Sequence, residues 1–156
     1  MRIAVVTSLF PTPARPHEGI FAEQRWTRMR QRGHDVRVLH PLPRAPRWVG
    51  PRTWREIAAA PRREVRDGVG VDRPRYLHLP RRARANARAF AACALRALPS
   101  GPRPQVVVAD YAWPAAAAAG ALRAEGLPFV VHGRGSDVLQ VAATARLRPL
   151  LAEALR

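Results

Sequence analysis

Near the start of the chain, Ile3-Ala4-Val5-Val6 is apolar without interruption, then closed by Thr7-Ser8 and by Pro11, Pro13 and Pro16. A short apolar run bounded by turn formers suits a strand buried on both faces. Proline fixes φ and lacks an N–H, so the stretch that follows is kept out of regular structure. From Phe21 onward, Phe21, Ala22, Trp26 and Met29 fall on one side at helical spacing. Gly33 stands where a helix's C-terminal glycine belongs, and Val36-Arg37-Val38-Leu39 is a second apolar run. Strand, helix and strand between Met1 and Pro41 are most simply a right-handed βαβ unit of a parallel sheet.

The remainder extends that sheet. Residues 42–61 are dense in proline and arginine, without a period, and read as a loop with one helical turn near Trp54 to Ala60. Trp48 within it either docks into the core or covers a cleft. Glu64 to Val71 reads as strand, turn at Asp67-Gly68, and strand. The second run continues through Arg75 to Leu79, with Pro74 marking an edge or a break. Arg81 to Leu98 has Ala87, Phe90, Ala91, Ala94, Leu95 and Leu98 on a helical template. Arg81, Arg84 and Arg88 gather on another side, which either faces water or rests on anionic headgroups. Gln105 to Ala109 is a further strand, with Asp110 and Tyr111 at its end. Pro114 opens a helix that runs to Glu125 and is closed by Gly126. Phe129 to Val131 is the next strand, and a last helix covers Thr144 to Leu155.

The order is βαβ, a hairpin insertion, then αβαβα. That is an α/β chain with a Rossmann-like, doubly wound, mainly parallel sheet. Ligands of such sheets bind at the carboxyl ends of the strands. Ser8 to Phe21, Pro41 onward, Asp110 to Trp113 and His132 to Asp137 lie there.

Composition narrows the function classes. At 156 residues the chain is one domain's worth. Its formal net charge is +16, and all 27 basic residues are arginine. Arginine without lysine, beside abundant alanine and proline, points to a composition bias rather than to selection at one site. The charge still favours phosphate-rich partners or an anionic membrane face. With 6% aromatic residues and no RNA or DNA motif, the sequence argues against a nucleic-acid binder. Met1-Arg2 before Ile3 to Phe10 imitates a signal peptide, but the run is short and ends in prolines. Cys93 is the single cysteine; it permits no internal disulfide, agrees with a reducing compartment and reads as a small buried filler.

Gly19 precedes a helix N-terminus, whose free N–H groups suit an anion, although a plain turn glycine fits equally. There is no G-x-G-x-x-G and no P-loop pattern. Gly133-Arg134-Gly135-Ser136-Asp137 follows a buried strand directly. Arg134 suits a phosphate or carboxylate. Asp137 either accepts from sugar hydroxyls or caps the turn, and His132 is either a titrating group or a satisfied strand-end histidine. Five scattered histidines and one cysteine give no metal-binding spacing.

Taken together, Phe10-Pro11, Gly19, Gly33-His34, Tyr111-Ala112-Trp113-Pro114 and Arg134-Gly135-Ser136-Asp137 resemble the N-terminal domain of glycosyltransferase family 4. These are retaining enzymes of the GT-B fold, and the likeness is to bacterial members that build surface polysaccharides. It extends over nearly the whole of residues 1–156, with two departures: Arg134 stands where many members have histidine, and Ala115-Ala116 replaces an Asp-Gly. The resemblance implies one half of a GT-B architecture. It puts Gly19 near the donor phosphates and the acceptor, and the Arg134–Asp137 loop on the inter-domain cleft. His132, Arg134 and Asp137 are then the candidate catalytic residues. Gly19, Gly135, Ser136 and Tyr111 are candidates for substrate or phosphate binding. No metal or cofactor is implied; a nucleotide-sugar is the co-substrate, and the acceptor is a glycan or a lipid-linked glycan. The implied location is cytoplasmic, peripheral at the inner membrane face. The family's donor-binding domain is expected to be missing from these residues, supplied by a continuation or by a second chain, so the chain alone is expected to be inactive. The competing expectation is a basic module that binds nucleic acid, anionic lipid or glycan without catalysis.

Overall fold

A computed structural model of the chain describes residues 1–44, 51–98, 101–118, 122 and 125–155. The expectation for Trp48 lies outside the described residues, as does part of the helix expected between Pro114 and Glu125. The strands are β1 (Arg2–Thr7), β2 (Asp35–Leu39), β3 (Leu42–Pro43), β4 (Arg63–Arg66), β5 (Val69–Asp72), β6 (Arg75–Tyr76), β7 (Val106–Asp110) and β8 (Phe129–His132). The helices are α1 (Ile20–Gln31), α2 (Arg52–Ala59), α3 (Ala83–Arg96), the single turn α4 (Ala112–Ala115), α5 (Ser136–Ala143) and α6 (Arg148–Ala154).

Six strands form the main sheet in the order β4-β5-β2-β1-β7-β8. Every neighbouring pair in it is parallel except the edge pair β4–β5. The chain leaves β1 toward β2 on one side and later returns to β7 on the other, so the order reverses between β1 and β7. At that switch point the loops from two adjacent carboxyl ends diverge and leave a crevice.

β1 is buried on both faces, as its uninterrupted apolar run requires. Ile3 and Val5 face α1 together with Val36, Val38, Val69 and Val71, while Ala22 and Trp26 come down from the helix. Ala4 and Val6 face α3 with Val107 and Ala109, against Phe90, Ala91 and Ala94. Small residues on α3 let the helix lie close to the strands. At the end of α1, Gly33 takes φ +85°, and the amides of Gly33 and His34 donate to the carbonyls of Arg30 and Met29. That closes the helix as the glycine's position predicts.

Four expectations change. The Glu64–Val71 hairpin turns at Asp67-Gly68 as expected, both with positive φ. It is not an insertion, however: β5 lies in the main sheet, parallel to β2, because Val69 and Val71 are apolar enough to be buried. Phe21 is 74% exposed; the buried stripe of α1 runs through Ala22 and Trp26, and Phe21 is turned about 100° away from Ala22. Pro114 does not begin a regular helix. The Trp113–Pro114 peptide is cis, Trp113 is non-helical, and Ala116–Ala118 form a 3₁₀ turn. The last helix, expected over Thr144–Leu155, is the shorter Arg148–Ala154, and a helix that was not expected, Ser136–Ala143, precedes it. Thr144 leaves the helical region at the end of α5 while its hydroxyl donates to the Gln140 carbonyl, and Pro149 starts α6.

Candidate functional site

β7 ends in Asp110, which is 0% exposed. An ionised carboxylate is tolerated at such depth only when its lone pairs are filled. Here four donors converge. The Trp26 indole N–H, reaching across from the middle of α1, donates to Oδ2 at 2.6 Å. Arg134 is bidentate, with Nε 2.8 Å from Oδ1 and Nη2 2.8 Å from Oδ2. His132 Nδ1 lies 3.0 Å from Oδ1. Burial alone would raise the Asp110 pKa, but the bonds from Arg134, His132 and Trp26 outweigh it and hold the carboxyl below the usual carboxylate range.

His132 ends β8 beside Asp110, in register with it. On its other side the Arg25 guanidinium lies 2.8 Å from Nε2 and 3.0 Å from Nδ1. Nδ1 thus faces Asp110, while the Arg25 guanidinium, close to both ring nitrogens, packs against the ring. The ring is about one third exposed, so its edge is open to a ligand.

Asp137 sits in the first turn of α5 and is also buried. Its Oδ1 accepts from the backbone N–H of Arg134 at 2.7 Å and of Val138 at 3.0 Å, and its Oδ2 accepts from the Ala112 N–H. The side chain therefore ties the loop after β8 to the loop after β7. The Tyr111 hydroxyl lies 3.0 Å from Ser136 Oγ, and Tyr111 holds a left-handed φ of +80°, an uncommon conformation for a bulky residue.

Gly19, with φ +78°, begins α1 against the loop after β1; a Cβ there would sit 2.7 Å from the Leu9 carbonyl oxygen. The same loop carries Ser8, whose hydroxyl lies 3.5 Å from the Trp113 carbonyl. A chain of contacts thus runs from Gly19 through Leu9 and Ser8 to Trp113, and from Ala112 to Asp137. All seven candidate residues lie at the carboxyl end of the sheet.

Three contributors were not singled out by the sequence reading. Asp110 was noted only for its place at a strand end, Trp26 only as core, and Arg25 not at all. An acid closing a buried β-branched strand was the one available signal, since a lone carboxylate there must be paired. His40, at the end of β2, was also missed. It is 3% exposed, and burial, then the charges of Arg73 and Arg75, lower its pKa to about 3 despite a bond to the Ser8 backbone. It is a neutral imidazole at pH 7.

Among the described residues no three of His, Cys, Asp and Glu are grouped as a metal ion would require. No helix among them is long and apolar enough to cross a membrane. Cys93 is buried and free, and burial pushes its thiol pKa up.

Fold and site together define an α/β domain with a mostly parallel sheet and a buried charge cluster at the switch point. No family model matches the chain. Over 144 residues, 88% of the chain, it is 30% identical to "Putative teichuronic acid biosynthesis glycosyltransferase TuaC" of Bacillus subtilis (strain 168). The match covers 37% of the length of that protein.

Proposed function

We propose that the chain is the acceptor-side half of a retaining glycosyltransferase of the GT-B, family 4 type, acting in surface-polysaccharide synthesis. The donor is a nucleotide-sugar and the acceptor a glycan or lipid-linked glycan. The work is done on the cytoplasmic side, with the protein peripheral to the membrane. No metal or cofactor takes part. The observation that carries the reading is the buried Asp110, filled by Trp26, His132 and Arg134 beside the β1/β7 crevice. The likeness to TuaC over 88% of the chain supports it.

In this reading Asp110 is the anchor rather than the reactive group, because it is sealed from solvent. It fixes the Arg134 guanidinium with two of its five N–H groups and leaves the others for an anionic donor. It also fixes the His132 ring, whose exposed edge meets sugar hydroxyls at the cleft. Gly135 and Ser136, at the N-terminus of α5, and the Tyr111 hydroxyl beside Ser136 offer backbone and hydroxyl donors to phosphate oxygens. Gly19 does the same at α1. Asp137 positions the loop, since backbone N–H groups occupy both of its oxygens.

Departure of the nucleotide needs cations facing the diphosphate. The reading assigns most of them to a donor-binding partner domain, in the same polypeptide or a second one. A nucleotide-sugar turnover assay on these 156 residues alone is then expected to show none; turnover would overturn the division of labour.

A further inference from the structure

Beyond the carboxyl ends of β2 and β5 the chain continues into the parallel pair β3 and β6. That is the end of the sheet that carries Asp110 and His132. From β6 to α3 the sequence runs Tyr76-Leu77-His78-Leu79-Pro80-Arg81-Arg82. In an extended stretch alternate side chains point opposite ways. Tyr76 turns inward, edge-on to Phe90 at 5.8 Å, with the His78 ring 6.2 Å from it. Leu77 and Leu79 are left outside, 65% and 43% exposed. The segment is nevertheless held. The Asn86 side chain accepts from the Leu79 N–H and donates to the Leu79 carbonyl, each at 2.8 Å. The Arg82 N–H closes a turn onto the same carbonyl. Fixed hydrogen bonds thus present two leucines to solvent.

The cations around them are also without internal employment. Arg81, Arg82 and Arg88 are exposed and, among the described residues, have no acidic partner, whereas Arg84 pairs with Glu153. They gather about the first two turns of α3, whose first turn holds no acidic residue. Cations there oppose the helix's own field, so helix stability does not account for them. An apolar tip among unpaired arginines matches an anionic bilayer. Leucine side chains enter the boundary between headgroups and acyl chains, and guanidinium groups meet lipid phosphates. A nucleic acid or a free anion would use the arginines and have no use for the leucines.

We propose that the Leu77–Arg82 turn, with Arg88 of α3, docks the protein on an anionic lipid bilayer. Docking by this face brings the carboxyl end of the sheet to the headgroups. That the bilayer carries the acceptor rests on the transferase reading; that this face binds lipid does not.

The test is co-sedimentation of the whole chain with two kinds of vesicle, phosphatidylcholine alone and phosphatidylcholine with about 30% phosphatidylglycerol. Binding is expected to the second only, and to weaken as salt is added. Arg81→Asn with Arg82→Ser is expected to weaken it about thirtyfold, at about fivefold per arginine; asparagine tolerates the left-handed φ of +60° at position 81. Leu77→Ser with Leu79→Ser is expected to weaken it at least about tenfold. All four side chains are exposed, and equal urea midpoints check that both pairs fold. On the unaltered chain, bicelles of the anionic mixture carrying a headgroup nitroxide are expected to broaden the methyl resonances of Leu77 and Leu79. The Met1 methyl, exposed ahead of β1 at the other end of the sheet, is expected to stay sharp. Binding indifferent to the leucine pair would overturn the proposal in favour of a plain anion or nucleic-acid surface. Broadening at Met1 and not at the leucines, or no binding to the anionic vesicles, would overturn it as well. None of these outcomes touches the transferase reading, which is judged by sugar transfer and not by lipid binding.

Discussion

Replacing Arg134 by methionine removes both bonds of a bidentate pair, at 2.8 Å each, from a carboxylate with no access to water. Arg134 itself is only 16% exposed, so solvent screening does not shrink the effect as it does for surface pairs. Trp26 and His132 remain as hydrogen-bond partners, but the bidentate guanidinium is gone. Breaking one side of a buried pair costs about 3–5 kcal/mol. At roughly 2–4 °C per kcal/mol for a chain of this size, the melting temperature falls by about 6–20 °C. Asp110 also loses its strongest charge partner, so its pKa rises. A carboxylate depressed in the folded state contributes stability above its unfolded pKa and loses it as pH falls through the folded value. Arg134→Met therefore brings acid unfolding to higher pH. The assay is urea unfolding of the wild type, Arg134→Met, Asp110→Asn and the double variant. The double variant is expected to be less destabilised than the sum of the two, with a coupling of about 2 kcal/mol. A loss below about 1 kcal/mol for Arg134→Met, or additivity around the cycle, would refute the idea that the two charges stabilise each other out of water.

His40 predicts a second pH dependence. Its folded pKa of about 3 lies far below the ordinary histidine value of about 6.5, so the unfolded chain binds the extra proton between those values. Stability should rise with pH from about 3 to about 6.5, by up to about 1.4 kcal/mol per pH unit, and His40→Phe should flatten that rise in denaturant titrations. Gly19→Ala puts a Cβ 2.7 Å from the Leu9 carbonyl and 2.9 Å from the Phe10 Cα, at φ +78°; backbone cannot swing aside, and a loss of about 2–3 kcal/mol is expected by urea midpoint. Trp26→Phe keeps most of the packing but deletes the donor to Asp110; about 1–3 kcal/mol should be lost, and the acid limb should move upward as for Arg134→Met.

The sheet was legible because its strands are short, largely apolar runs. Ile3–Val6, Val36–Leu39, Val106–Ala109 and Phe129–Val131 each stand between turn formers; β1 is buried on both faces, as an unbroken run demands, whereas Val130 on the edge strand β8 is 51% exposed. The placement of β5 was not legible. Four residues with a hairpin turn fit an outlying ribbon as well as a sheet edge, and only the burial of Val69 and Val71 separates the two. Helix α5 was missed because Gly133-Arg134-Gly135 reads as loop, whereas Gly135 adopts φ +81° to start the helix at Ser136. At the site, His132, Arg134 and Asp137 stand out by their spacing after a strand. Asp110 and Trp26 meet across 84 positions of sequence, and no local pattern carries a pairing of that range. His40 has the same character: its depth comes from Phe10, Arg73 and the loops above it, none of them its neighbours in the chain.

The most direct measurement is transfer by a chimera in which this chain replaces the matching segment of TuaC. Release of nucleotide from a nucleotide-sugar would be followed beside TuaC itself, with the anomeric configuration of the product read by NMR. The chimera is expected to release nucleotide as neither part does alone, to give a product that keeps the donor's configuration, and to lose both on His132→Gln or Arg134→Met. A chimera as active as TuaC and indifferent to those two changes would contradict it.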